Sequence, residues 1–200
     1  MKKLYLLISL SLLGFLISCS GERAFTKGDY TDPNRVILLD DRYNESDMKI
    51  MADALVASLM THPAIKDADH PPVLQVETVT NSTTEHIDMK SLTDKIRTAL
   101  IKSGKVAFHN KEERKTVSEE YDYQTSSGNV DQAKAINRGK QVGAEYIISG
   151  DFASNVQELG GRKVVYYKLT LNMTDLKSNL IRWSDEKEIK KLFKKQSYAM

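Results

Sequence analysis

The sequence predicts an α+β fold, with helices packed on one face of a mixed, mainly antiparallel sheet. Three observations predict it. Apolar residues recur at helical spacing between residues 46 and 143, interrupted by short β-branched runs. From residue 145 onward apolar and polar residues alternate instead, the period of half-buried strands. Two turn signals, Gly160-Gly161 and Ser178-Asn179, divide that alternating stretch into a three-stranded meander.

The elements follow in order. Val36-Ile37-Leu38-Leu39 is a short apolar run, either an edge strand or a segment laid against the body. Ser46 or Asp47 suits the cap of a helix running to about Met60, because Met51, Ala54, Leu55, Ser58 and Leu59 then share one face. Thr61 to Pro72 holds three of the four prolines and reads as a linker. Val73 to Val79 is short, β-branched and bounded by Pro72 and Asn81, so it predicts a strand. Asp88 or Ser91 starts a helix with Leu92, Ile96, Ala99 and Leu100 on one stripe, and Gly104 closes it. A brief strand at Val106 to His109 precedes a charged helix over Glu112 to Tyr123. Tyr121 and Tyr123 lie near the Ser126–Asn129 turn and read first as core packing, with aromatic partner contacts as the alternative. Asp131 to Val142 is expected as a further helix stopping at Gly143. The meander comprises Glu145 to Gln157, Arg162 to Leu176 and Leu180 to Ile189. Its middle strand sets Val165, Tyr167, Leu169, Leu171 and Met173 against Val164, Tyr166, Lys168 and Thr170, and Trp183 on the last strand reads as core.

The chain begins with an export address. Lys2-Lys3 precedes Leu4 to Ser18, an uncharged apolar run of the secretory type. That run is shorter than the roughly 20 apolar residues a bilayer span needs. It ends in Leu16-Ile17-Ser18-Cys19, which resembles the bacterial lipobox, whose thiol takes a diacylglycerol. Cys19 is the only cysteine, so intrachain disulfides and CxxC sites are excluded. Ser20, where inner-membrane retention would show Asp, points to a lipid anchor in the outer membrane with the body facing the periplasm. The formal charge of +2 belongs to the address: without Lys2 and Lys3 the chain carries 27 basic and 27 acidic side chains. A neutral body excludes a nucleic-acid binder driven by counterion release. The expected organisation is a signal peptide over 1–18, the lipidated Cys19 and a tether to 34, a globular domain over 35–190, and a basic, fraying tail over 191–200.

No enzyme chemistry is legible. His62, His70, His86 and His109 form no i,i+4 pair on a predicted helix, and no HExxH is present. Asp40, Asp41, Asn44, Glu45 and Asp47 lack the spacing of a calcium loop and suit a helix N-terminus. Gly139 to Gly143 lacks the P-loop residues, no GxSxG is present, and Asp185-Glu186 sits on an alternating strand where charges face water. The expectation is a non-enzyme with no metal and no cofactor beyond the covalent lipid on Cys19. What remains is the polar loop Thr80 to His86. Its residues Asn81, Ser82, Thr83, Thr84, Glu85 and His86 are candidates for partner binding, with turn and capping chemistry as the equal alternative.

An ordered set of segments carries a resemblance. It comprises Leu16–Cys19, Asp41-Arg42-Tyr43 with the helix after it, Asn81–Asp88, Leu92–Leu100, Val142–Tyr146, Tyr166–Asp175 and Trp183–Ile189. With these the chain resembles the LpoB-type outer-membrane lipoproteins, activators of class A penicillin-binding proteins. The resemblance implies a fold similar to the N-terminal domain of TolB and a monomer that binds and stimulates a periplasmic peptidoglycan synthase. The family's long Pro- and Gln-rich tether is replaced here by Ser20 to Asn34, which reaches at most about 50 Å. The alternative is a structural or secretion-assembly lipoprotein with a TolB-like or curli-export-like domain, expected as a ring oligomer.

Overall fold

The computed structural model describes residues 28–139 and 141–195; the expected signal peptide, Cys19 and the start of the tether lie outside them. The chain divides into two compact units, Met1–Arg35 and Val36–Met200. In the first, the described residues form a turn in which the Arg35 and Asn34 N–H groups donate to the backbone and side chain of Asp32. The second holds the fold.

Its elements are α1 (Glu45–Thr61), α2 (Pro63–Lys66), β1 (Val73–Val76), β2 (Thr80–Asn81), α3 (Met89–Lys102), β3 (Ala107–Phe108), α4 (Arg114–Ser126), β4 (Tyr146–Leu159), β5 (Arg162–Asp175) and β6 (Leu180–Lys194). The strands make one sheet of order β3-β1-β4-β5-β6, with β2 also on β4. β1 and β2 run parallel to β4, β3 is parallel to β1, and the β4–β5–β6 meander is antiparallel. This is the predicted α+β class. One core joins Met51, Leu55 and Leu59 of α1 and Leu92, Ile96 and Leu100 of α3 to Leu74, Ile148, Phe152, Tyr167, Leu169, Leu171 and Met173 of the sheet. Burying each such side chain is worth roughly 1.5–3 kcal/mol. All these core residues fall between Met51 and Trp183, so a chain begun at residue 20 keeps the whole core and folds alone.

Asn44, not Ser46 or Asp47, caps α1. Its side chain accepts from the Asp47 N–H at 3.2 Å, and Asp47 accepts in return from the Asn44 N–H at 3.0 Å. Asp47 therefore serves as the reciprocal third position of a capping box. The expected linker contains α2, whose start is capped by the His62 ring accepting from the Ala64 N–H at 3.3 Å.

The strand expected over Val73–Val79 breaks after Val76. Val76 pairs with Ile148 and Thr80 with Asp151, so three residues on one strand oppose two on β4. The extra residue reverses the alternation, as a bulge does. Val79 turns inward, 3% exposed, and its N–H donates to Thr93 Oγ1 rather than to the sheet. Gly150 makes room: a Cβ there would lie 2.5 Å from Leu171 Cδ2 and 2.6 Å from the Thr170 carbonyl.

Three further expectations are corrected, and one open alternative is decided. Asp131–Val142 is not a helix but a turn followed by irregular chain. Its Asp131 carboxylate takes the Ala133 N–H, Gly139 adopts φ +90°, and Ile136 and Val142 stay exposed, so no apolar face exists to dock a helix. Of the two readings of Val36–Leu39, the edge strand is absent and the segment laid against the body holds at Ile37, which is half-buried with its N–H donating to Ser46 Oγ, while Val36, Leu38 and Leu39 are exposed. Tyr121 and Tyr123 are not core, since α4 buries none of its residues. The last strand continues to Lys194, four residues into the expected tail, because Lys191 is held inside the fold. Elsewhere the meander follows expectation: β5 buries every second residue from Val165 to Met173, and Trp183 is buried. Gly160 and Gly161 take φ +58° and +73°, as a tight hairpin turn requires.

Candidate partner-binding surface

The bulge before β2 sets the geometry of the loop that follows. Because the alternation is reversed there, Asn81, Thr83 and Glu85 are half-buried while Ser82, Thr84 and His86 are exposed. The inward three are a hydrogen-bonded frame. Asn81 Oδ1 accepts from the Thr83 N–H at 3.0 Å and the Thr83 hydroxyl at 2.8 Å, and its Nδ2 donates to the Glu85 carbonyl at 2.9 Å. Glu85 ties this frame to the body: one oxygen accepts from the Tyr43 N–H at 3.1 Å, the other from the Tyr167 phenol. Of the outward three, Ser82 donates to Asp151 on β4, whereas Thr84 and His86 make no side-chain hydrogen bond among the described residues.

Beneath the loop, Tyr43, Phe152 and Tyr167 form an aromatic cluster. Tyr43 meets the other two edge-on, at 4.9 and 5.8 Å, and Phe152 stacks on Tyr167 at 5.6 Å. The Lys191 ammonium sits 5.6 Å from the centre of the Tyr167 ring. It donates to the Arg42 carbonyl at 2.7 Å and pairs with Asp47 at 2.5 Å, the two side chains only 4% and 6% exposed. Burial, reinforced by nearby Asp47, pushes the Tyr43 phenol far above its ordinary value; burial and then the bond to Glu85 do the same for Tyr167. Both phenols stay neutral. At the rim, the hydrogen bond from Lys163 holds the Asp41 carboxyl below its ordinary value.

An open groove of about 580 Å³ lies between the start of α1 and the start of α3, with Tyr43, Met48, Glu85, His86, Ile87 and Ser91 among its walls. The buried Tyr43 hydroxyl and Asn44 Nδ2 beside it have no hydrogen-bond partner among the described residues. The other histidines lie apart: His62 caps α2, His70 is exposed, and His109 contacts Arg114 at 3.4 Å. Among the described residues no group of three or more His, Cys, Asp or Glu is placed to hold a metal, and no helix is long and apolar enough to cross a membrane.

Sequence reasoning missed the Asp47–Lys191 pair, and with it the support for this surface. A signal was present: continued along β6, the inward parity of Trp183 and Ile189 falls on Lys191, and a lysine at a core position calls for an acid.

Fold and surface define an α+β module that presents a framed loop and an open groove rather than an enclosed site. A family model, that of the peptidoglycan-synthase activator LpoB, matches residues 47–189, and the chain belongs to this family of activators of synthases. Among solved structures it is similar to the LpoB C-terminal domain from Salmonella enterica, at 15% identity over 72% of this chain and 98% of that one, with a TM-score of 0.45. It is similar also to LpoB of Escherichia coli solved by NMR (14% identity, 90% of this chain and 87% of that one, TM-score 0.41). Lipoprotein GNA1162 from Neisseria meningitidis is similar at 13% identity over 60% and 83% of the respective chains, with a TM-score of 0.39. A search of curated proteins finds no match.

Proposed function

We propose that the chain is anchored in the outer membrane by a lipid on Cys19, faces the periplasm, and binds and stimulates a class A penicillin-binding protein. The observation that carries this reading is the synthase-activator match over residues 47–189, which runs from the first turn of α1 to the middle of β6. The lipobox-like Leu16–Cys19 supports the anchor, and the covalent lipid is the only prosthetic group the function needs. Thr84 and His86, held outward by the frame of Asn81, Thr83 and Glu85, with Ser82 beside them, give the loop hydrogen-bonding groups for a partner. Stimulation requires only differential binding. An activator that favours the active conformation of the synthase by about 1.4 kcal/mol shifts its resting equilibrium tenfold.

The test is a pull-down of purified class A synthases by the chain begun at residue 20, followed by glycan polymerisation and cross-linking assays. Capture of a synthase by a monomeric chain, with a rise in both rates, is the expected result. Neither capture nor a change in rate would sink the reading. For the anchor, Cys19→Ala is expected to leave the membrane fraction, and a variant that stays there contradicts lipidation.

A further inference from the structure

The end of the meander reaches past the helices. From Asn155 to Leu159 every residue of β4 is exposed, and β5 and β6 run beside it as a three-stranded tongue. On the face turned away from the helices, three cross-strand rows follow one another: Leu159–Arg162–Lys194, Gln157–Val164–Leu192 and Asn155–Tyr166–Lys190. Leu159 is 86% and Leu192 56% exposed, and a shallow depression of about 470 Å³ lies over Leu159, Arg162 and Val164. Arg162, Lys190 and Lys194 have no ion-pair partner among the described residues. Neighbouring lysines do: Lys163 has Asp41, Lys195 has Glu158 and Lys168 has Glu186. In a body with balanced charge, three unmatched cations interleaved with exposed Leu159 and Leu192 and half-buried Val164 are a local excess, and exposed apolar strand surface is a liability unless something covers it.

Resting on the synthase-activator reading, we propose that this outer face of the tongue docks on an acidic, partly apolar patch of the partner protein. A second copy of the chain does not fit, because an isologous contact would set the three cations against their own images. A lipid surface does not fit either: the apex is Gly160-Gly161, with no side chain to insert, and the apolar residues lie across the strands. The tongue lies at the same end of the sheet as the Ser82–His86 loop, since β2 runs parallel to β4 toward the hairpin.

The experiment compares the chain begun at residue 20 with Arg162→Glu/Lys194→Glu, and with a control, Lys66→Glu/Lys105→Glu, placed away from the tongue. Affinity for the captured synthase and thermal melting are measured, the former at low and high salt. The expected result is at least tenfold weaker binding by the tongue variant with an unchanged melt, near wild-type binding by the control, and wild-type affinity that falls with salt. Wild-type affinity in the tongue variant, or equal loss in the control, overturns the proposal alone. A wild-type chain that binds no synthase overturns the activator reading and this one together. Sedimentation with phosphatidylglycerol vesicles but not phosphatidylcholine vesicles, abolished in the tongue variant, assigns the face to lipid and overturns the proposal.

Discussion

Glu85 sits where the loop after β2 meets the segment before α1 and the middle of β5, and each carboxylate oxygen takes a donor from one of them. Glu85→Ala strands the Tyr43 N–H and leaves the buried Tyr167 phenol only the Asp41 carbonyl at 3.4 Å, at a cost of about 1–3 kcal/mol; Glu85→Gln keeps one acceptor and loses less. Urea unfolding of the two variants reads the difference. The phenols below make a prediction in base. In the unfolded chain Tyr43 and Tyr167 ionise around their ordinary value of 10.0, whereas in the folded chain burial holds their protons well beyond it. The stability from those retained protons is complete below pH 10.0 and is lost as pH rises above it. Stability measured from pH 8 to 11 is expected to fall less steeply in Tyr43→Phe/Tyr167→Phe than in wild type.

Among the elements, α4 is the loosest. It buries no residue, and polar contacts hold it: Arg114 donates to Gln75 at 2.9 Å, and Arg138 bridges α4 to the irregular segment through Ser118 and Asp122. Its amides should exchange through local opening, far faster than those of β5, which open only with the whole sheet. Hydrogen exchange that protects both equally would mean a stronger attachment than these contacts supply. The same contrast explains what could be read in advance. β5 was legible because one face is buried along its length, so its period of two is written into the side chains. α3 was legible because Asp88 caps it, Gly104 ends it at φ +69° and its stripe meets the core. Asp131–Val142 misled because helix-compatible residues without an apolar partner do not pay for ordering. The extra residue at Glu77–Val79 left no mark in composition. It nevertheless decides which loop residues face outward, so the candidate surface was legible as a segment but not as a division between frame and contact.

At the scale of the molecule, the framed loop and the cationic tongue gather at one end of the sheet, while β3 forms one lateral edge and α4 is tied beside it through Arg114 and Gln75 of β1. Asp47 and Lys191 join the first turn of α1 to the last strand beneath that end. Removing one member of so buried a pair strands the other, so Lys191→Met is expected to cost about 3–5 kcal/mol. The pair also has a place in time. The meander folds through neighbours in sequence, each strand on the one before, and such local contacts form early. Asp47 and Lys191 are separated by nearly the whole folded unit and cannot meet until β6 is laid on β5. Their bond should therefore be absent from the transition state for folding. In stopped-flow experiments Lys191→Met should refold at close to the wild-type rate and come apart faster, which makes this pair a latch on how long the folded molecule lasts rather than on how quickly it arises.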